Sequence, residues 1–223
     1  MALDRVLEAE VMDTEKDAVE YDSMDFSEVN LAFARRAAEL APPRGKVLDV
    51  GTGTARIPIL LLQNTASDLS IHAVDLSSHM LTIGRKNVAL AQLSNRITLL
   101  LADGKDLPFS SGEFDMIISN SLVHHLPDPG IFFNGIARLL RSGGVLFVRD
   151  LLRPGSVSEL NDLVYKYAGE ADEYQRKLYR DSLCASLTLP EVERHVRAAG
   201  LEGVKAMRSS DRHWSVERPT RQR

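Results

Sequence analysis

Short aliphatic runs alternate along this chain with longer segments of helical periodicity. Residues 46–50, 70–74, 97–101, 116–119 and 145–149 are brief and rich in Val, Ile and Leu, as expected of parallel strands covered on both faces. Phe26, Val29, Phe33 and Ala37 recur at helical spacing, which predicts a helix over 27–40 with one buried face, ended by Ala41-Pro42-Pro43-Arg44-Gly45. Ser77 reads as the N-cap of a helix running to about residue 93, and Asp128-Pro129 as N-cap and first-turn proline of another, stopped after about residue 141 by Ser142-Gly143-Gly144. Leu160, Leu163, Val164 and Tyr167 form a helical stripe, and Tyr174, Leu178 and Tyr179 suggest a second. Thr188 and Glu191 make a capping box opening a helix that ends at Gly200, and residues 204–207 and 213–217 read as two last strands. The sum is an α/β fold. It has a doubly wound, seven-stranded, mostly parallel sheet with an antiparallel final pair and helices on both faces.

A length of 223 residues fits a single domain over 1–223. Residues 1–44 form a helical N-terminal cap, 45–150 the core, and 151–223 a variable helical insert with the last helix and strand pair. The insert reads equally as a patch on the sheet edge or as a lid, since Tyr165, Tyr167, Arg176 and Arg180 make it more than an apolar filler.

The first strand runs into Gly51-Thr52-Gly53-Thr54-Ala55-Arg56, and Pro58 sits where a helix's first turn would be. Strand, glycine loop and helix N-terminus make a nucleotide-binding arrangement. The dinucleotide pattern requires a third glycine where Arg56 stands, and the Gly-Lys-Ser/Thr of a phosphate loop is absent. Asp49, two positions before Gly51, would repel a pyrophosphate and suits a ligand carrying a cationic amino or sulfonium group. Asp75 follows Gly51 by twenty-four residues, near the spacing of a carboxylate that binds ribose hydroxyls; its bland reading is a helix cap. Asp103 closes the third strand. Three aspartates thus end three successive strands, where an open α/β sheet lines its ligand crevice.

This set resembles the first motif of the class I S-adenosylmethionine-dependent methyltransferases, acidic-x-Gly-x-Gly-x-Gly, with Ala55 at the last and most forgiving position. Phe109, Phe114-Asp115-Met116-Ile117-Ile118 and Leu139-Leu140-Arg141-Ser142-Gly143-Gly144 extend the likeness. His124-His125-Leu126-Pro127-Asp128 is similar to small-molecule methyltransferases of the ubiquinone/menaquinone-biosynthesis type. The resemblance implies a Rossmann-like domain with S-adenosyl-L-methionine as cofactor. It implies Asp49, Gly51, Thr52 and Gly53 at the methionine end, Asp75 at the ribose, and Asp103 at the adenine between Leu76 and Ala102. Met80, Gly104, Asn120 and Tyr21 join the cofactor's surroundings, and Met24 stands near Tyr21. The implied reaction is methyl transfer to a small-molecule acceptor, mainly by positioning. Alternatives are a methyltransferase acting on protein or RNA, or a non-catalytic partner subunit that keeps the fold. The Asn/Asp-Pro-Pro-aromatic motif of adenine and amide methylation is missing, since the sequence reads Asn120-Ser121-Leu122-Val123.

His124 and His125 are candidate bases near neutral pH. Neighbouring side chains on a helix or extended loop diverge, so at most one is expected to reach substrate. A bare His-His pair has no third ligand spaced for a metal, and none is expected. Asp150, at the end of the fifth strand, is placed to face substrate, and Asp211-Arg212-His213-Trp214 offers a further pocket wall, with Trp214 read as a strand-edge anchor.

Composition adds exclusions. The net charge of −4 leaves no footprint for nucleic acid or anionic membrane, although the first thirty residues are acidic and the last sixteen rich in arginine. One cysteine, Cys184, excludes an internal disulfide framework and thiolate clusters. With no signal-peptide pattern and no run long enough to span a bilayer, a cytoplasmic protein is expected. The sequence sets no oligomeric state.

Overall fold

The computed structural model describes residues 3–8, 14–24 and 26–219. The last four residues of the arginine-rich C terminus and part of the acidic N terminus lie outside them. Two helices open the fold, α1 (Glu15–Ser23) and α2 (Ser27–Leu40). Strand β1 (Arg44–Val50) leads to α3 (Arg56–Gln63), β2 (Asp68–Asp75) to α4 (Ser78–Leu90), and then come β3 (Ile97–Leu101) and β4 (Phe114–Asn120). A 3₁₀ turn (Val123–His125) precedes α5 (Pro129–Leu139) and β5 (Leu140–Leu151). Helices α6 (Val157–Ala168), α7 (Glu173–Ala185) and α8 (Leu189–Ala198) lead to β6 (Lys205–Arg208) and β7 (His213–Arg218).

The strand order is β3-β2-β1-β4-β5-β7-β6, parallel through β5, with β7 antiparallel to both β5 and β6. The order reverses between β1 and β4. The crevice at the carboxyl ends of those strands is where such sheets bind ligands.

Both sheet faces are buried, which explains the unbroken aliphatic runs. Leu48, Val50, Ile117, Leu146 and Val148 pack on one face with Phe132, Phe133 and Ile136 of α5 and Val192 of α8. Val47, Ile71, Met116, Ile118 and Phe147 pack on the other with Phe33 and Ala37 of α2 and Leu61 of α3. Phe33 stacks on Phe147 at 4.4 Å, and Arg149 lies over Phe33 at 4.9 Å while donating to the Val29 carbonyl at 2.9 Å. Those contacts fix the cap helix α2 against β5.

Several expectations need correction. Tyr21 and Met24 stand just before the expected helix over 27–40, and Tyr21 there lies in a helix of its own, α1, which sequence periodicity hides because only Ala18 of it is buried. Its signal was the Thr14-to-Asp17 capping box, where Asp17 N–H donates to Thr14 Oγ1 at 3.1 Å. Helix α5 ends at Leu139 because β5 begins at once, five residues earlier than expected. Gly143, at φ +72°, sits in the irregularity where pairing jumps from Phe114–Leu140 to Met116–Val145. Trp214 is not at an edge: it is fully buried under α5 and α8 in the core. Among the described residues, no helix is long and apolar enough to cross a membrane.

Candidate functional site

Strand β1 delivers the glycine loop. Gly51 turns at φ +77° and Gly53 at φ +56°, conformations that a Cβ disfavours. A Cβ on Gly51 would lie 3.1 Å from the Leu122 side chain, so the close approach to the loop after β4 requires glycine. Gly51 and Thr52 N–H both donate to the Val74 carbonyl at 2.9 Å, and Gly53 N–H donates to Asp75 Oδ2 at 2.7 Å. Ala55, standing in place of the motif's last glycine, caps α3 at φ +61°. That position is less forgiving than expected, since a left-handed backbone costs alanine about 1–2 kcal/mol.

The three aspartates differ in condition. Asp49 is buried, its Oδ2 has no hydrogen-bond partner, and neither has Thr52 Oγ1. Burial, with repulsion from Asp75 and against the nearby Thr52 hydroxyl, pushes its carboxyl up to about 7. Asp75 accepts from Gly53 N–H and from Ser77 N–H at 2.9 Å. Burial raises its carboxyl despite those bonds. Asp103 accepts from Lys105 N–H at 2.9 Å and stands 3.5 Å from the Lys105 ammonium.

A cavity of about 170 Å³ opens over these strand ends. Gly51, Gly53 and Asp75 line it, with Leu76, Met80, Ala102, Asp103 and Gly104 along β2 and β3. Asn120, Leu122, His125 and Tyr21 close the other side. Asp49, Thr52 and His124 lie behind this surface and do not line it. Leu76 is half-exposed against the cavity, an apolar wall without a neighbour to cover it. Met24 is turned away: it lines a second cavity of about 650 Å³ between α1, α2 and α3, which shares Tyr21 with the first. Helix α1 is held there by Asp22, which accepts from Arg56 Nε at 3.0 Å and from Asn87 at 3.3 Å. No residue of 151–186 lines the smaller cavity. The insert instead packs Leu160, Leu163 and Leu183 with Leu151, and Tyr167 donates to Asp211 at 2.7 Å. Arg212 stacks on Tyr167 at 3.7 Å, so Asp211 and Arg212 brace the insert, and none of 211–214 lines the cavity.

The histidines do not diverge. In the 3₁₀ turn their rings lie 4.1 Å apart, and both approach Glu8, a residue sequence reasoning missed. Glu8 Oε1 is 2.7 Å from His125 Nδ1 and 3.4 Å from His124 Nε2. His124 is buried and its Nδ1 meets Asp150 Oδ1 at 2.5 Å. Asp150 is therefore turned inward, away from any substrate, and also accepts from Val123, His124 and Leu151 N–H. Burial alone would lower the His124 imidazole, but Asp150 and Glu8 hold it above its ordinary value. His124 in turn outweighs burial and holds Asp150 low. Glu8 belongs to a strap, residues 3–8, pinned by Arg5. The guanidinium donates to the Ala185 carbonyl at 2.6 Å, to Leu126 at 2.8 Å, and to Pro127 and His124 at 3.3 Å. No motif in residues 3–8 announces this, since the partners lie more than a hundred residues away.

Residues 48–148 match a family model described as a methyltransferase domain. A 27-O-demethylrifamycin SV methyltransferase from Amycolatopsis mediterranei is 27% identical over 81% of this chain and 63% of its own length. A ubiquinone/menaquinone biosynthesis C-methyltransferase from Geotalea daltonii is 30% identical over 55% of this chain and 52% of its own. The chain thus spans about half to under two thirds of these curated relatives. Among solved structures, a SAM-dependent methyltransferase from Aquifex aeolicus shares 16% identity, with a TM-score of 0.66 over 93% of this chain and 98% of that one. A Haemonchus contortus phosphoethanolamine N-methyltransferase 2 in complex with S-adenosyl-L-methionine shares 16%, with a TM-score of 0.70 over 94% of this chain and 58% of that one. These likenesses show the same fold.

Proposed function

We propose that this chain, which carries a methyltransferase domain over residues 48–148, is an S-adenosylmethionine-dependent enzyme methylating a small-molecule acceptor. The observation that carries this reading is the cavity over β1, β2 and β3, with Gly51, Gly53, Asp75 and Asp103 on its wall.

The residues fit the cofactor. Asp49 Oδ2, buried and unpartnered behind the glycine loop, is an acceptor waiting for a cationic group, and an ammonium nearby would bring its carboxyl back down. Gly51 and Gly53 leave room for the methionine end. Asp75, already holding the loop, has lone pairs left for ribose hydroxyls. Leu76 and Ala102 offer an apolar slot for a purine beside Asp103. When bound, the sulfonium supplies an activated methyl group. The chain's own work is to orient the acceptor and exclude water, and positioning of that kind contributes about 7–11 kcal/mol. Of the two histidines, His125 reaches the cavity, so direct proton transfer from an acceptor falls to it, while His124 supports it from behind.

The small-molecule class rests on the relatives' names, an antibiotic methyltransferase and a quinone-biosynthesis one. The chain is read as one cytoplasmic domain.

Isothermal titration with S-adenosylmethionine and S-adenosylhomocysteine, with NAD as control, tests the reading. Micromolar binding of the first two and none of NAD supports it. No binding of either overturns it in favour of a non-catalytic partner.

A further inference from the structure

Glu8, His124 and His125 bring one carboxylate oxygen and two imidazole nitrogens within 4.8 Å of one another. The contact between Glu8 Oε1 and His125 Nδ1 is short, at 2.7 Å. Both atoms are shielded from solvent, and neither has a well-aligned hydrogen-bond partner. The remaining member, His124 Nε2, is 3.4 Å from the same oxygen. Ligands each about 2.1 Å from a divalent ion, at right or tetrahedral angles, stand about 3.0–3.4 Å apart. Of the three pairs, one has that spacing already, a second needs a shift of a few tenths of an ångström, and the third, between the two imidazole nitrogens, lies within 4.8 Å.

The groups behind these three are arranged for ligand duty. His124 gives its other nitrogen to Asp150 at 2.5 Å, and three backbone N–H groups fix that carboxylate in turn. A histidine held this way presents its free nitrogen in one tautomer and orientation, as metal-binding histidines do. The second oxygen of Glu8 accepts from Ser182 Oγ at 2.9 Å, which sets the carboxylate plane. Two carboxylates, Glu8 and Asp150, flank the His124 imidazole.

We propose that Glu8, His124 and His125 form a binding site for a divalent first-row metal ion, of the two-histidine, one-carboxylate donor type that suits Zn²⁺ or Co²⁺. Three protein ligands leave a coordination position open, the mark of a reactive site rather than a structural one. His125 also lines the cavity, so the ion would sit beside the acceptor. There, with His125 engaged as ligand, it would acidify a bound hydroxyl as a Lewis acid in place of direct proton transfer to His125, the proton leaving to solvent. That use rests on the methyl-transfer reading; ion binding does not.

The test is titration of the metal-free full chain with Co²⁺, read by visible absorption, and with Zn²⁺, read by calorimetry. One equivalent of either, with the visible bands of Co²⁺ bound at low coordination number, is expected. Glu8→Gln and His125→Gln, each folded in the metal-free state by circular dichroism, should weaken binding at least about tenfold, the scale of losing one ligand or its support. Absence of binding, or affinity unchanged in both variants, overturns the proposal and leaves a proton-sharing cluster. Metal binding in a chain that does not bind S-adenosylmethionine would overturn only the methyl-transfer reading, and the converse only the metal site.

Discussion

The backbone N–H of Gly53 donates to Asp75 Oδ2 across 2.7 Å, so the carboxylate ending β2 fastens the loop that follows β1. The cap of α4 is Ser77, whose hydroxyl accepts from Met80 N–H at 3.3 Å, and not Asp75. Asp75 accepts from Ser77 N–H, holds the loop, and still faces the cavity. Asp75→Ala should lower folding stability by about 1–3 kcal/mol through two orphaned N–H groups, and weaken S-adenosylmethionine binding by about 1.5–3 kcal/mol. Urea denaturation and calorimetry measure the two separately. Unchanged binding in a folded variant would remove the ribose assignment.

Asp49 sets a pH dependence. Its folded value of about 7 lies above the 3.8 of an unhindered carboxyl. Between those values the native state holds a proton that the unfolded chain has released, so stability falls as pH rises through the window and levels off above it. Asp49→Asn should flatten that slope and raise stability near pH 8 by up to about 4 kcal/mol, at about 1.4 kcal/mol per unit. The same variant should bind S-adenosylmethionine more weakly. Wild-type binding near pH 6 should release a proton, visible as a buffer-dependent binding enthalpy.

Asp150 is the acceptor for one imidazole and three backbone N–H groups in a fully buried setting. Asp150→Ala should cost about 3–5 kcal/mol, the scale of stranding one half of a buried charged pair. A midpoint in chemical denaturation close to wild type would refute that central role.

Arg5 holds the strap with one guanidinium and four carbonyls. Arg5→Ala should cost about 1.5–3 kcal/mol and speed amide exchange at Val6, whose N–H donates to the Cys184 carbonyl at 3.1 Å. Arg5→Lys should not restore it, because an ammonium cannot reproduce the planar fork.

The strands, the glycine loop and the aspartates were legible because each is announced within a few residues: an aliphatic run, a turn residue, an acid at a strand end. The Asp128 cap and the Thr188–Glu191 box were equally local, and Glu191 accepts from Thr188 N–H at 2.7 Å as the spacing implies. The rest depends on contacts between distant positions. Glu8 has no neighbour in sequence that marks it, and its meaning comes from His124 and His125. The two histidines were expected to diverge as on a helix or extended loop. The short 3₁₀ turn brings their rings to 4.1 Å all the same, with Glu8 Oε1 in reach of both. Asp150 sits where a substrate-facing residue was expected, but β5 turns it toward α5's side of the sheet with Trp214, its register partner. Alternation along a strand is legible, while which face carries the ligand is not.

Residues 3–8 find their docking partners in Ser182, Cys184 and Ala185, at the end of α7. On a ribosome, the strap is made long before that helix exists and has nothing to close upon meanwhile. A loop that long is closed late, because its entropy is lost before its contacts are gained. The corner holding Glu8 and the two histidines is accordingly the last part of the crevice to assemble during synthesis.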